Sequence, residues 1–144
     1  MPLTAKAILS NENIRFGLNQ AWLDSNPNVT GGHEEGGFVV RNENAVLNVI
    51  RWDAGNQNTI RVPAHLNCKI NNLEIVASFH THPNTGNDYL QEPSETDKRA
   101  VLNDVNLKGE EYIGEFVISQ AVIFLITPNG QVQEIDDTQS VFNE

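Results

Sequence analysis

Glu74-Ile75-Val76-Ala77-Ser78-Phe79 is the run from which the fold can be read, and it continues directly into His80-Thr81-His82-Pro83. Its β-branched and aromatic residues fit a pleated, half-buried strand. Strict alternation puts Ile75, Ala77 and Phe79 on one face and Val76, Ser78 and His80 on the other. In an extended chain residues two apart point the same way, so His80 and His82 leave the strand end together.

Upstream, Ser10 to Asp24 reads as a helix capped by Ser10, with Ile14, Leu18, Ala21 and Trp22 at spacings of three and four. Strands are expected at Gly37–Arg41, Ala45–Trp52 and Thr59–Val62, the last two separated by the turn Gly55-Asn56-Gln57-Asn58. Downstream, a polar loop from Pro83 to Pro93 leads to a second helix from Ser94 to about Asn106, with Ala100, Val101 and Val105 as its apolar stripe. Closing strands are expected at Glu115–Ile126, broken near Gln120, and at Gln131–Ile135, around the hairpin signal Thr127-Pro128-Asn129-Gly130. This order predicts one α/β (α+β) domain over residues 1–144, a mixed β-sheet flanked by helices.

A chain of 144 residues buries roughly 68–70% of the surface its unfolded form exposes, enough for a true core. Nineteen acidic against nine basic residues give a net charge of −10, and no basic run is present, which disfavours nucleic acid as a partner. No window has the ~18 consecutive apolar residues of a membrane helix. The first residues lack the apolar core of a secretory signal, so the expected location is cytoplasmic, with a non-classical export route left open. The single cysteine, Cys68, forms no intramolecular disulfide and reads as a small core or edge residue rather than a nucleophile.

Three further pieces bear on chemistry. Two converging imidazoles suit a zinc ion, which takes four tetrahedral ligands, although a His-x-His alone also fits a polar strand end. Ser94-Glu95-Thr96-Asp97 is a helix start, with Ser94 as cap and an acidic third position. Asp97, one turn in, can also offer a carboxylate oxygen as a third ligand, with the Ser94 hydroxyl aimed at the same place. Glu34-Glu35-Gly36-Gly37-Phe38 places a carboxylate ahead of a strand whose glycines allow close backbone approach. Alternation lets one of Glu34 and Glu35 face the metal as general base, and Glu34 is preferred from its spacing to Gly37 and Phe38.

Other metal or cofactor patterns fail. His33-Glu34 does not open a His-Glu-x-x-His helix, because position 37 is glycine. The zinc deaminase pattern needs Pro-Cys-x-x-Cys, and no glycine-rich phosphate loop is present. His33 is expected beside the site rather than as a ligand, and His65 as structural.

Glu34, His80-Thr81-His82-Pro83 and Ser94-Glu95-Thr96-Asp97 together resemble the signature of the JAMM/MPN (JAB-type) metalloprotease family, in its bacterial stand-alone form. The resemblance implies the family's cytidine-deaminase-like sandwich. It implies one Zn2+ on His80, His82 and Asp97, Glu34 as the group that activates water, and Ser94 as an oxyanion donor. It implies cleavage of a peptide or isopeptide bond in a protein or peptide substrate, including ubiquitin-like conjugates. Eleven residues, Pro83 to Pro93, separate His82 from Ser94, more than the family's usual interval. Loops absorb such insertions cheaply, and this loop, with Asp88, Tyr89 and Glu92, is the expected substrate contact. Two alternatives stay open: a metal-free or catalytically silent protein-binding module on the same fold, and a zinc amidase acting on another amide such as a cell-wall peptide.

Overall fold

The computed structural model describes residues 3–28, 31–86 and 91–143. The chain opens with two helices, α1 (Ala5–Ser10) and α2 (Glu12–Asp24), where a single helix was expected. Asn11 separates them in an extended conformation, and its side chain caps α2 by accepting from the Ile14 N–H. Ser10 is therefore the last residue of α1 and not a cap. The expected stripe Ile14, Leu18, Ala21 and Trp22 is buried. Each large aliphatic side chain so buried contributes about 1.5–3 kcal/mol.

Seven strands form one mixed sheet: β1 (Gly36–Arg41), β2 (Leu47–Arg51), β3 (Lys69–Ile70), β4 (Leu73–Thr81), β5 (Glu115–Ile118), β6 (Val122–Ile126) and β7 (Val132–Asp137). The order is β2-β1-β4-β5-β6-β7, with the short β3 paired to the start of β4. Neighbours run antiparallel except β4 and β5, which pair parallel with His80 opposite Val117. A parallel pair needs a crossover, and it is supplied by α3 (Glu95–Asn103). A last helix, α4 (Thr138–Phe142), was not foreseen.

The two faces of the sheet are covered differently. Ile8, Leu18 and Val141, from α1, α2 and α4, pack with Val39, Phe79 and Phe116. On the other face, Phe38, Ile75, Trp52, Leu107 and Tyr112 form a second cluster, and Val101 of α3 packs with Val117, Phe124 and Ile126.

The alternation expected along β4 is corrected by a β-bulge. Val39 pairs with Ala77 but Val40 pairs with Ile75, which leaves Val76 as an extra residue. Ile75 therefore packs with Phe38 and Tyr112, on the face of Ser78 and His80, while Val76 joins Ala77 and Phe79.

The expected strand Thr59–Val62 is absent. Thr59 closes a side-chain turn on Asn56, whose Oδ1 accepts from both the backbone N–H and the hydroxyl of Thr59. The segment then crosses the sheet face with Ile60 against the Phe38 cluster, and Pro63 follows. The other expected strands stand with shifted ends: β2 starts late because Ala45 has φ of 62°, and β4 runs on through Thr81. The break near Gln120 separates β5 from β6. In α3 only Val101 of the expected stripe is buried. Val105 lies past the helix end and is exposed, and Leu107 fills the core instead. Among the described residues no helix is long and apolar enough to cross a membrane.

Candidate metal centre

β4 carries His80 to the covered face, where it is 3% exposed. His82 follows the last strand residue and is held in line by its N–H donating to the Ile118 carbonyl at 2.8 Å. The two rings lie 5.2 Å apart. Asp97 approaches from the first turn of α3, whose start is fixed by a capping box. Ser94 Oγ accepts from the Asp97 N–H at 3.0 Å, and the Ser94 N–H donates to Asp97 Oδ2 at 2.9 Å. Ligand atoms of His80, His82 and Asp97 all lie within 4.8 Å of one another.

The orientation of each imidazole follows from its partners. His80 Nδ1 lies 2.7 Å from Glu115 Oε2, and His82 Nδ1 lies 3.2 Å from the Gln91 carbonyl. A carboxylate and a carbonyl only accept, so both Nδ1 atoms carry protons and both Nε2 atoms face Asp97. His82 Nε2 is 3.1 Å from Asp97 Oδ2, and His80 Nε2 is 3.5 Å from Oδ1. Buried His80 Nε2 completes no hydrogen bond. Two imidazoles and a carboxylate converging on one point suit a cation, either a proton on the rings shared with Asp97 or a metal ion that displaces it. A buried ring nitrogen without a hydrogen-bond partner, beside a second imidazole and a carboxylate, is a donor set that fits a divalent metal.

In the absence of an ion the neighbouring carboxylates favour a protonated His80, and a metal would displace that second ring proton. Burial lowers the pKa of His80, but the Asp97 and Glu115 carboxylates outweigh it and raise the value well above the ordinary histidine range. Burial pushes Asp97 up, yet the His80 and His82 rings hold it far below the usual carboxylate range.

Glu34 and Glu35 are separated by the strand pleat. The Glu35 N–H donates to Thr81 Oγ1 at 3.0 Å and its carbonyl accepts from the Thr81 N–H at 2.9 Å, extending the β1–β4 pairing. Its carboxylate turns away, to Arg51 Nη2 and His33 Nε2, each at 2.5 Å. Glu34 is clamped on the other side by the segment before Thr59: its N–H donates to the Asn56 carbonyl at 2.7 Å and its carbonyl accepts from the Gly55 N–H at 2.8 Å. Its side chain lines a cavity of about 260 Å3 with Asn58, His82, Pro83, Asn84, Ser94 and Asp97. Burial raises its pKa to about 7; His80 opposes this and the Asp97 and Glu115 carboxylates add to it. Gly36 permits the arrangement, since a Cβ there would come within 2.6 Å of the Phe79 carbonyl and of the Trp52 ring.

Glu115 is the residue that reading the sequence missed. It is 9% exposed at the start of β5. Its Oε2 accepts from His80, and its Oε1 accepts from Ser78 Oγ at 2.8 Å. With its own proton committed there, Ser78 takes the Tyr112 hydroxyl proton at 2.7 Å. The only signal available was a carboxylate heading the otherwise apolar run Glu115-Phe116-Val117-Ile118.

The remaining expectations fall out simply. His33 lies beside Glu35 and outside the ligand group. His65 is tied at both nitrogens, to the Pro63 carbonyl at 2.7 Å and to Asp104 at 2.8 Å. Cys68 is buried and free. In the loop from Pro83 to Pro93, Asp88 and Tyr89 lie outside the described residues, and Glu92 is exposed. The loop's return limb holds His82 through Gln91, whose side chain also donates to the Asn84 and Gly86 carbonyls.

In comparisons with known proteins, no family model, curated protein or solved structure matches the chain.

Proposed function

We propose that this chain is a zinc-dependent hydrolase of a peptide or isopeptide bond, of the JAMM type that its Glu, His-x-His-Pro and Ser-x-x-Asp segments resemble. The observation that carries the reading is the convergence of His80 Nε2, His82 Nε2 and Asp97 within 4.8 Å, beside a cavity that Glu34 lines. His80, His82 and Asp97 would hold the ion, which when bound supplies Lewis acidity toward water and a carbonyl oxygen.

The chain's own groups do the rest. Glu34, with a pKa of about 7, can take a proton from water and return it to the leaving amine near neutral pH. Glu115 holds the Nδ1 proton of His80 and so fixes the ring. Ser94 lines the same cavity. Its Oγ accepts from Asp97, which leaves the hydroxyl proton available to an oxyanion. A metal-free binding module is the poorer reading, because it gives no role to two imidazoles and a carboxylate gathered within 4.8 Å beside a cavity.

The test is elemental analysis of purified protein, wild type and His80→Ala/His82→Ala, followed by a screen of peptide and isopeptide substrates. About one zinc per chain in the wild type, none in the variant, and zinc-dependent cleavage would support the reading. Folded wild type that takes up no zinc when supplied with it would overturn the metal centre. Zinc without cleavage of any such bond would overturn the assignment of substrate.

A further inference from the structure

A second cavity opens on the other side of Glu34 and Asp97. It has a volume of about 150 Å3, and Glu34, Asn58 and Asp97 line both cavities. Its polar lining is completed by His80, Glu115, Thr59 and Thr96, and its apolar lining is Trp52, Ile60, Val62 and Ala100. Trp52 is 4% exposed, and its buried indole N–H has no acceptor. Val62 and Ala100 are exposed at the rim, so the cavity is reached from solvent beside the ligand group.

We propose that this cavity is the specificity pocket of the enzyme, taking a branched aliphatic side chain of the residue next to the bond that is cleaved. The inference rests on the zinc-hydrolase reading above and adds the substrate's character to it. The argument is one of size, lining and position. An apolar cavity of about this volume holds a molecule the size of benzene, so an isobutyl or isopropyl group fits and an indole does not. Aliphatic walls favour a group that needs no hydration, whereas an ammonium there would leave water without full compensation. Of the three carboxylates that line the cavity, Asp97 and Glu115 are already engaged by His80, His82 and Ser78, and the third, Glu34, is the proposed general base. The chain itself explains why the pocket exists: Thr59–Val62 is prevented from joining the sheet by the Asn56 turn, and stands off as a wall.

The experiment uses the zinc-loaded protein and three hydroxamic acids, with affinity measured by calorimetry. Acetohydroxamic acid offers the metal-binding head alone, isocaproic hydroxamic acid adds an isobutyl group, and ε-aminocaproic hydroxamic acid adds an ammonium tail. The isobutyl compound should bind about ten- to hundredfold tighter than the acetyl one, as burial of several CH2 equivalents requires. In Ala100→Phe, which fills the pocket from an exposed helix position, the ratio of the two affinities should fall towards unity. Val62→Phe provides the same test should Ala100→Phe fold poorly. Equal affinities in the wild type would overturn the pocket and leave the metal reading intact. Tighter binding of the ammonium compound would overturn its aliphatic character. Failure of all three to bind the zinc-loaded protein would overturn the zinc-hydrolase reading and the pocket with it.

Discussion

His65 and His80 are both largely buried, and each meets a carboxylate at less than 3 Å, Asp104 for one and Glu115 for the other. They differ in the second nitrogen. His65 gives it to the Pro63 carbonyl and packs edge-on against Phe38, so its bonding capacity is complete. His80 keeps Nε2 unbonded, facing Asp97 and His82. A carboxylate partner alone therefore does not mark a functional histidine; the open valence left beside it does.

The sharpest test of that contrast is to remove each ring. His80→Ala should abolish zinc uptake while the protein stays folded. His65→Ala should keep about one zinc per chain and lose roughly 1–3 kcal/mol of stability in denaturant melts. Equal zinc loss in both would erase the distinction.

The neighbouring glutamates offer the same contrast in carboxylates. Glu34→Gln should retain zinc and lose about 10²–10⁴-fold in turnover. Glu35→Gln should keep turnover and lose stability, because it breaks the pairing with Arg51 and His33. An active Glu34→Gln beside an inactive Glu35→Gln would reverse the assignment.

A smaller effect is expected from the carboxylate behind His80. Glu115→Ala should weaken zinc binding about 10–100-fold in chelator competition and alter the visible spectrum of the cobalt-substituted protein. A loss of melting temperature with unchanged affinity would reduce Glu115 to a packing role. The smallest effect belongs to Ser94→Ala, which should cost about 1 kcal/mol as a lost helix cap and slow turnover with zinc retained. Unchanged turnover would confine Ser94 to capping.

What the sequence made legible was local. The period of two put His80 and His82 on one side, and the cap Ser94 set Asp97 one turn into α3. The pleat made Glu34 and Glu35 alternatives, and the preference for Glu34 rested on its spacing to Gly37 and Phe38, which is also local. Glu115 was not legible, because it reaches His80 only through the parallel register of β4 and β5. The bulge at Val76 was equally hidden, being a mismatch with β1 rather than a property of β4's own residues. Thr59–Val62 has β-branched composition, yet Asn56 commits the chain to a turn first. The chemistry of the Asn56 side chain was visible, but not that it would win.

The crossover from β4 through α3 to β5 carries a consequence for stability. All three candidate ligands, and the carboxylate behind His80, belong to this one continuous stretch of chain; only Glu34 comes from elsewhere. Bringing Asp97 to the histidines closes a short loop, which has a low entropic cost. An ion held by these three residues would cross-link a short span of chain, so the stability it added would lie in the crossover rather than in the docking of the N-terminal helices.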